Sequence, residues 1–300
     1  MKKNISLHGA YYPNNFGDVL ILAIQSNWIK EITGKEVVLP FATEIYRDQI
    51  QSSRERGFKG LRNSEKLIYG AGGYLGEPNI KKWLWGFRFF LKHYAPAKYA
   101  SFKKIKYAVI GTGVGPLTNI FTRKAVVNLS KKSAFLAVRD NESKQYLKKY
   151  GVEDDKVFVT ADVALSLTKE DLPIESKQKG KKIFENISGP KYGVHIGADI
   201  DSPVYGSKIK MLIDECVNFF NKNKHITPVL IIDNNNKAQN KAVNYLKKNI
   251  KNDCVVYKHN KDIWETATVL SELDIVITNK LHIGIVAYAL GTDCIGFPYH

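Results

Sequence analysis

The chain has 300 residues, 44% hydrophobic and 25% charged, which excludes a disordered or low-complexity protein and leaves room for two domains with their own cores. Its 45 lysines and arginines against 29 acidic residues give a formal net charge of +16. Three cysteines, Cys216, Cys254 and Cys294, with no Cys-x-x-Cys and no Cys/His cluster, exclude a disulfide scaffold and a zinc site of ordinary spacing.

The sparse thiols fit a reducing cytosol. The start, MKKNISLHGAYYPNNFGD, carries two lysines but no apolar segment, so it makes a poor secretory signal. The longest apolar stretch, 281–297, is broken by Gly284, Gly291, Thr292 and Asp293 and falls short of a spanning helix. A soluble protein, or one resting on a membrane surface, is expected. Only seven basic residues are arginine and none follows Arg139, while lysine pairs such as 103–104, 131–132 and 247–248 read as solvated helix faces. With no helix-turn-helix, RNP or zinc-finger pattern, the charge points away from nucleic acid and toward acidic small molecules or an anionic membrane leaflet.

A strand over 4–8 leads to the turn Tyr12-Pro13-Asn14-Asn15-Phe16-Gly17-Asp18 and an amphipathic helix over 19–33. A short strand is expected at 36–39. The strand at 66–69 runs into Gly70-Ala71-Gly72-Gly73, and that at 106–110 into Gly111-Thr112-Gly113-Val114-Gly115-Pro116. A helix over 123–132, a strand over 134–138, a helix over 141–150 and a strand over 157–160 follow. Residues 169–188 are polar and lysine-rich with Pro173 and Gly180, and read as a linker. Beyond them strands at 192–196, 228–232, 255–257, 274–278 and 293–297 alternate with helices at 207–222, 236–248, 262–271 and 282–290. The pattern predicts an α/β protein with two Rossmann-like domains facing a cleft, 1–168 and 189–300, joined by 169–188.

Ligands of open α/β sheets sit at the carboxyl ends of strands, so the strand-to-helix turns are the candidate sites. Asp18 opens a helix, where it either neutralises the helix end or takes part in chemistry. The glycines of GAGGYLG and GTGVGP lack the dinucleotide fingerprint; they serve either close ligand approach or a tight turn. Arg139 and Asp140 follow a strand, as a bidentate anion site or as a surface pair, and Asn141 is placed to cap the next helix. His282 sits at a helix start after Asn279-Lys280-Leu281 and is either structural or a proton carrier. The aromatic and basic run 83–94 is either an interfacial segment for lipid headgroups or sugar, or a helix packed under a loop.

Taken together, NFGD at 15–18, GAGG at 70–73, GTGVGPL at 111–117, VRDNES at 138–143, TADVALSL at 160–167 and DIVITNKLHIGIVAYALGTDCIGFPYH at 274–300 resemble the polysaccharide pyruvyl transferases. The resemblance implies the two-domain glycosyltransferase fold called GT-B, with 1–168 on the acceptor side and 189–300 on the donor side. It implies transfer of the pyruvyl group of phosphoenolpyruvate onto two hydroxyls of a saccharide, free or lipid-linked, as a ketal with release of phosphate. Arg139, Lys280 and His282, with the Leu281 backbone, would hold the donor's anions, and His282 would protonate its methylene carbon. Asp18 would take the proton of the attacking hydroxyl, with Asp140 and Asp162 behind it, and Gly72, Gly73 and Gly113 would line the substrates. No metal and no cofactor beyond phosphoenolpyruvate is implied; the place of action would be the cytoplasm, peripheral at the inner face of the membrane.

Two departures stand out. Lys280 replaces the family's usual arginine before Leu-His, and the chain ends at Tyr299-His300, where members usually continue, as in a fragment or a truncated member. Residues 40–65 and 77–105 give no readable code for the acceptor. The rival readings are a nucleotide-sugar glycosyltransferase of the same fold, against which Glu265 and Glu272 are seven rather than eight apart, and a non-catalytic scaffold of polysaccharide biosynthesis.

Overall fold

The computed structural model describes residues 4–10, 15–78 and 81–297. The chain forms two compact units: Asp18–Val163 joins the strand at the chain start, and Ala164 onward is grouped with Phe16 and Gly17. Tyr12, Pro13 and Asn14 of the expected turn, and Tyr299 and His300, lie outside the described residues.

In the first unit β1 (Asn4–His8) is followed by α1 (Phe16–Thr33), β2 (Val37–Val38), α2 (Glu44–Ile50), α3 (Gly57–Arg62) and β3 (Ser64–Tyr69). Then come α4 (Lys82–Phe89), a π-helical turn (Phe90–Tyr94), α5 (Ala95–Phe102), β4 (Lys106–Thr112), α6 (Ile120–Lys132), β5 (Phe135–Val138), α7 (Asn141–Lys149) and β6 (Phe158–Val159). Among the described residues the sheet is parallel, in the order β2-β1-β3-β4-β5-β6. Parallel strands covered on both faces need near-continuous apolar runs, and Leu67, Tyr69, Val109, Leu136 and Val138 supply them, packed with Val126 and Leu129 of α6.

Local chemistry sets the helix starts. The Asn119 side chain accepts from the N–H groups of Phe121 (2.9 Å) and Thr122 (3.2 Å), so α6 begins three residues before the expected helix. Asp140, not Asn141, caps α7, accepting from the Ser143 N–H at 2.7 Å.

The second unit runs α8 (Ile174–Lys182), β7 (Lys191–His195), α9 (Gly206–Lys222), β8 (Thr227–Ile232), α10 (Lys237–Asn249), β9 (Val255–Lys258), α11 (Ile263–Ser271), β10 (Ile275–Thr278), α12 (Leu281–Ala289) and β11 (Asp293–Gly296). Its sheet is also parallel, in the order β11-β10-β7-β8-β9. Val194, Leu230 and Ile232 meet Ile209, Ile213 and Phe220 of α9 and Leu246 of α10 in the core.

Residues 169–188, read from the sequence as a linker, carry regular structure. They contain α8, packed on α11: a Cβ on Gly180 would lie 2.6 Å from the Thr268 methyl, and Ser176 Oγ approaches the Asp262 carboxylate to 3.3 Å. The contact face is made of Ser176 and Gly180, small residues that allow close helix approach but leave no apolar periodicity to read. Among the described residues no helix is long and apolar enough to cross a membrane.

Candidate functional site

The strand order of the second sheet reverses between β7 and β10, where the crevice of an open α/β sheet binds ligands. His195 ends β7, Thr278 ends β10 and Asp233 follows β8. All three are buried and joined into a chain. His195 Nε2 lies 2.8 Å from Asp233 Oδ1, and its Nδ1 lies 3.0 Å from Thr278 Oγ1. The geometry lets Nε2–H donate to the carboxylate while Nδ1 accepts the threonine hydroxyl. The Gln239 amide also donates to Asp233 Oδ1, at 2.7 Å.

Lys280 closes the chain into a ring. Its ammonium donates to Asp233 Oδ2, and its backbone N–H donates to Thr278 Oγ1 at 3.0 Å. Burial alone would push the Asp233 carboxyl up; the hydrogen bond and attraction of His195, together with Lys280, outweigh it and hold the group well below the usual carboxylate range. Lys280 was expected to hold a donor anion, but in this structure its ammonium rests on an internal carboxylate.

Lys280 is also the N-cap of α12, with extended backbone and no side-chain cap on the helix. Leu281 and His282 form the first turn, at the positive end of the helix dipole. Leu281 is exposed and His282 is buried. Gly17 is packed so closely on His282 that an added Cβ would collide with the imidazole, so glycine here serves close approach. Asn279 Oδ1 accepts the Gly197 N–H at 2.7 Å and ties the β7 and β10 tips together. The half-buried His259 lies with its Nδ1 2.7 Å from Thr266 Oγ1, and desolvation moves its pKa down.

In the first unit Arg139 follows β5, with its backbone N–H on Thr112 O (3.1 Å). Its guanidinium pairs with Asp140 (3.2 Å) and with the buried Asp162 (3.5 Å). Burial would raise Asp140, but hydrogen bonds from Ser143 and the adjacent Arg139 lower it below the ordinary value. A Cβ on Gly113 would lie 2.7 Å from Arg139 Nε, so the space that this glycine leaves is filled by the arginine. Gly72, at φ +127°, bridges to Thr112, and its carbonyl accepts the Gly113 N–H at 3.0 Å; a side chain would strain that backbone. Gly73 is exposed, with no atom within 4 Å of a would-be Cβ. Asp18 is buried in the first turn of α1.

Thus Arg139, Asp140, Asp162 and Gly113 form one cluster, and Lys280, Leu281 and His282 another. His195, Asp233, Gln239 and Thr278 escaped the sequence reading. Their signal was faint: a polar residue ending an apolar run, in GVHIG and in PVLIID. Glu265, weighed as half of a nucleotide-sugar pair, is buried and takes hydrogen bonds from Asn260 (3.0 Å) and Tyr257 (3.3 Å), as an internal anchor does. Among the described residues no group of three or more His, Cys, Asp or Glu side chains is placed to hold a metal ion.

The chain is similar in fold to nucleotide-sugar enzymes. S. aureus MnaA with UDP superposes with a TM-score of 0.60 at 9% identity over 95% of this chain and 75% of that one. UDP-GlcNAc 2-epimerase of Neisseria meningitidis bound to UDP-GlcNAc gives 0.60 at 13% over 93% and 78%, and the Methanocaldococcus jannaschii enzyme 0.59 at 14% over 98% and 83%. These likenesses establish the α/β fold of the GT-B class with its two parallel sheets. No curated protein sequence matches the chain. The profile of the family described as polysaccharide pyruvyl transferase matches residues 15–300, nearly the whole length, and the chain belongs to that family.

Proposed function

We propose that this protein transfers the pyruvyl group of phosphoenolpyruvate to a saccharide, free or lipid-linked, as a ketal. Two sugar hydroxyls form C–O bonds to the enol carbon, the methylene carbon gains a proton and becomes a methyl group, and the bond from the enol carbon to the phosphate oxygen breaks. The second hydroxyl's proton leaves with the phosphate or passes to a base.

The observation that carries this reading is the family match through Lys280-Leu281-His282, at the tip of β10 beside the strand-order reversal. A dianionic donor requires fixed positive potential, and the start of α12 supplies the positive end of a helix dipole. In the proposed roles Arg139, Lys280 and the Leu281 N–H attract the donor's phosphate and carboxylate. His282 delivers the proton to carbon, an anion beside it favouring the imidazolium, and Asp18 accepts the hydroxyl proton. Gly72, Gly73, Gly113, Asp140 and Asp162 shape the substrate surroundings.

The test is incubation with phosphoenolpyruvate and candidate saccharides, following phosphate and a pyruvate ketal by mass spectrometry. Phosphate release that requires acceptor and is lost in His282→Ala is the expected result. Release of UDP from a UDP-sugar, with phosphoenolpyruvate untouched, would overturn the reading in favour of a nucleotide-sugar transferase.

A further inference from the structure

The helix α4 and the π-helical turn after it have two unlike faces. Phe89 and His93 point into the unit and are buried, and the Trp85 indole N–H donates to Gly76 O at 2.8 Å. On the other side Trp83, Phe87, Phe90 and Leu91, spaced i, i+4, i+7 and i+8, are 72, 64, 50 and 54% exposed. Gly86 admits α6: a Cβ there would lie 2.6 Å from Thr122 Oγ1. Phe121, 65% exposed at the start of α6, consequently stands 5.7 Å from the Trp83 ring, centroid to centroid.

Single exposed apolar residues, such as Ile174 or Val204 elsewhere, need no explanation, but large side chains grouped on one stripe do. The surroundings carry one sign of charge. Lys81, Arg88, Lys92 and Lys124 are exposed around the stripe. Between Glu77 and Asp140 the chain has ten lysines, three arginines and no acidic residue. Glu77 itself is turned onto the Thr118 hydroxyl (2.6 Å) and the Asn119 N–H (3.1 Å).

We propose that this face docks on an anionic lipid bilayer, with the aromatic stripe entering the headgroup layer and the basic rim meeting lipid phosphates. Charge complementarity selects this occupant. A second copy would set one basic rim against another in a chain of net charge +16, and a neutral saccharide would use the aromatic rings but not the rim. No residue of the stripe or its rim has a role in the proposed chemistry, so binding and activity are read separately.

The experiment is co-sedimentation of the full chain with vesicles of phosphatidylcholine alone or mixed with phosphatidylglycerol, at low and at physiological ionic strength. Binding to the anionic vesicles only, weakened by salt, is expected, together with a blue shift of tryptophan emission. Trp83→Ser with Phe87→Ser should lower the partition coefficient by roughly tenfold or more, whereas Ile174→Ser with Val204→Ser should leave it unchanged. Arg88→Glu with Lys92→Glu, which removes no apolar group, supplies a second variant with the same expected loss. Undiminished binding in both patch variants, binding indifferent to lipid charge and salt, or a dimer dissolved by the same substitutions would each overturn the proposal.

Discussion

Lys280 is tied to Asp233, a fully buried carboxylate whose other oxygen is taken by His195 and Gln239. The lysine is therefore both a surface cation at a helix start and the counter-ion of an internal anion. In the proposed reaction these two uses compete for one ammonium. An arginine could serve both, since its planar fork offers donors to two acceptors at once, whereas an ammonium is a single point of charge.

Substitution at Lys280 separates the two uses. Lys280→Ala leaves Asp233 buried with a partner missing and should cost about 2 kcal/mol of stability, read as a lower urea midpoint. Lys280→Arg should keep the midpoint and lower KM for phosphoenolpyruvate by up to about tenfold, which corresponds to about 1.4 kcal/mol. An arginine variant with unchanged or higher KM would show that Lys280 does not meet the donor.

The ring through Thr278, His195 and Asp233 predicts strong coupling. Thr278→Val removes a hydroxyl that accepts the Lys280 N–H and faces His195, at a cost of about 1–2 kcal/mol. His195→Phe strips a donor from Asp233 and should cost more. In the double variant the losses should fall short of additivity by about 1 kcal/mol, because the threonine bond is already lost once the histidine is gone. Additive losses from urea unfolding would mean that the three residues do not act as one chain.

The strand tips were legible because most follow a short apolar run and stand close before glycine or a capping residue. The order of strands was not, and that order made the buried cluster. His195, Asp233 and Thr278 are far apart in sequence and meet only because β7 lies between β8 and β10. The helix α8 was missed for a different reason: its contact with α11 rests on Ser176 and Gly180, which carry no hydrophobic signal. Arg139 was visible as an isolated arginine at a strand end, while its pairing with Asp162, 23 positions later, required β5 beside β6.

The two glycine turns make a paired test. At Gly113 a methyl group would push the Arg139 guanidinium from its place, so Gly113→Ala should move the arginine off Asp162 and lower donor affinity several-fold, with about 1 kcal/mol or less of lost stability. At Gly73 nothing stands within 4 Å, so Gly73→Ala should leave stability unchanged. If Gly73→Ala nevertheless loses phosphate release, the exposed turn borders a bound substrate; full activity in both variants would remove these turns from the site.

The last prediction concerns acid. His8 Nε2 and His93 Nδ1 lie 2.9 Å apart, buried among Tyr69, Tyr74 and Phe89, so one ring donates to the other and both cannot be cations. Burial lowers both; His93 falls from its ordinary 6.5 to about 3, and His8 falls well below 6.5, with His93 adding repulsion. Both rings are then neutral in the folded chain at mildly acid pH, while the unfolded chain takes up protons from about pH 6.5 downward. The unfolded state binds more protons in this window. Stability is therefore full above about pH 6.5 and is lost as pH falls below it, at about 1.4 kcal/mol per pH unit for each histidine that stays neutral in the folded chain. His259, lowered by burial, acts in the same direction. Urea midpoints between about pH 7 and about pH 5, where most carboxylates barely titrate, should fall steadily. His93→Gln, which can still hydrogen-bond to His8, should flatten the slope by about one histidine's share, and a slope that the substitution leaves unchanged would place the acid sensitivity outside this pair.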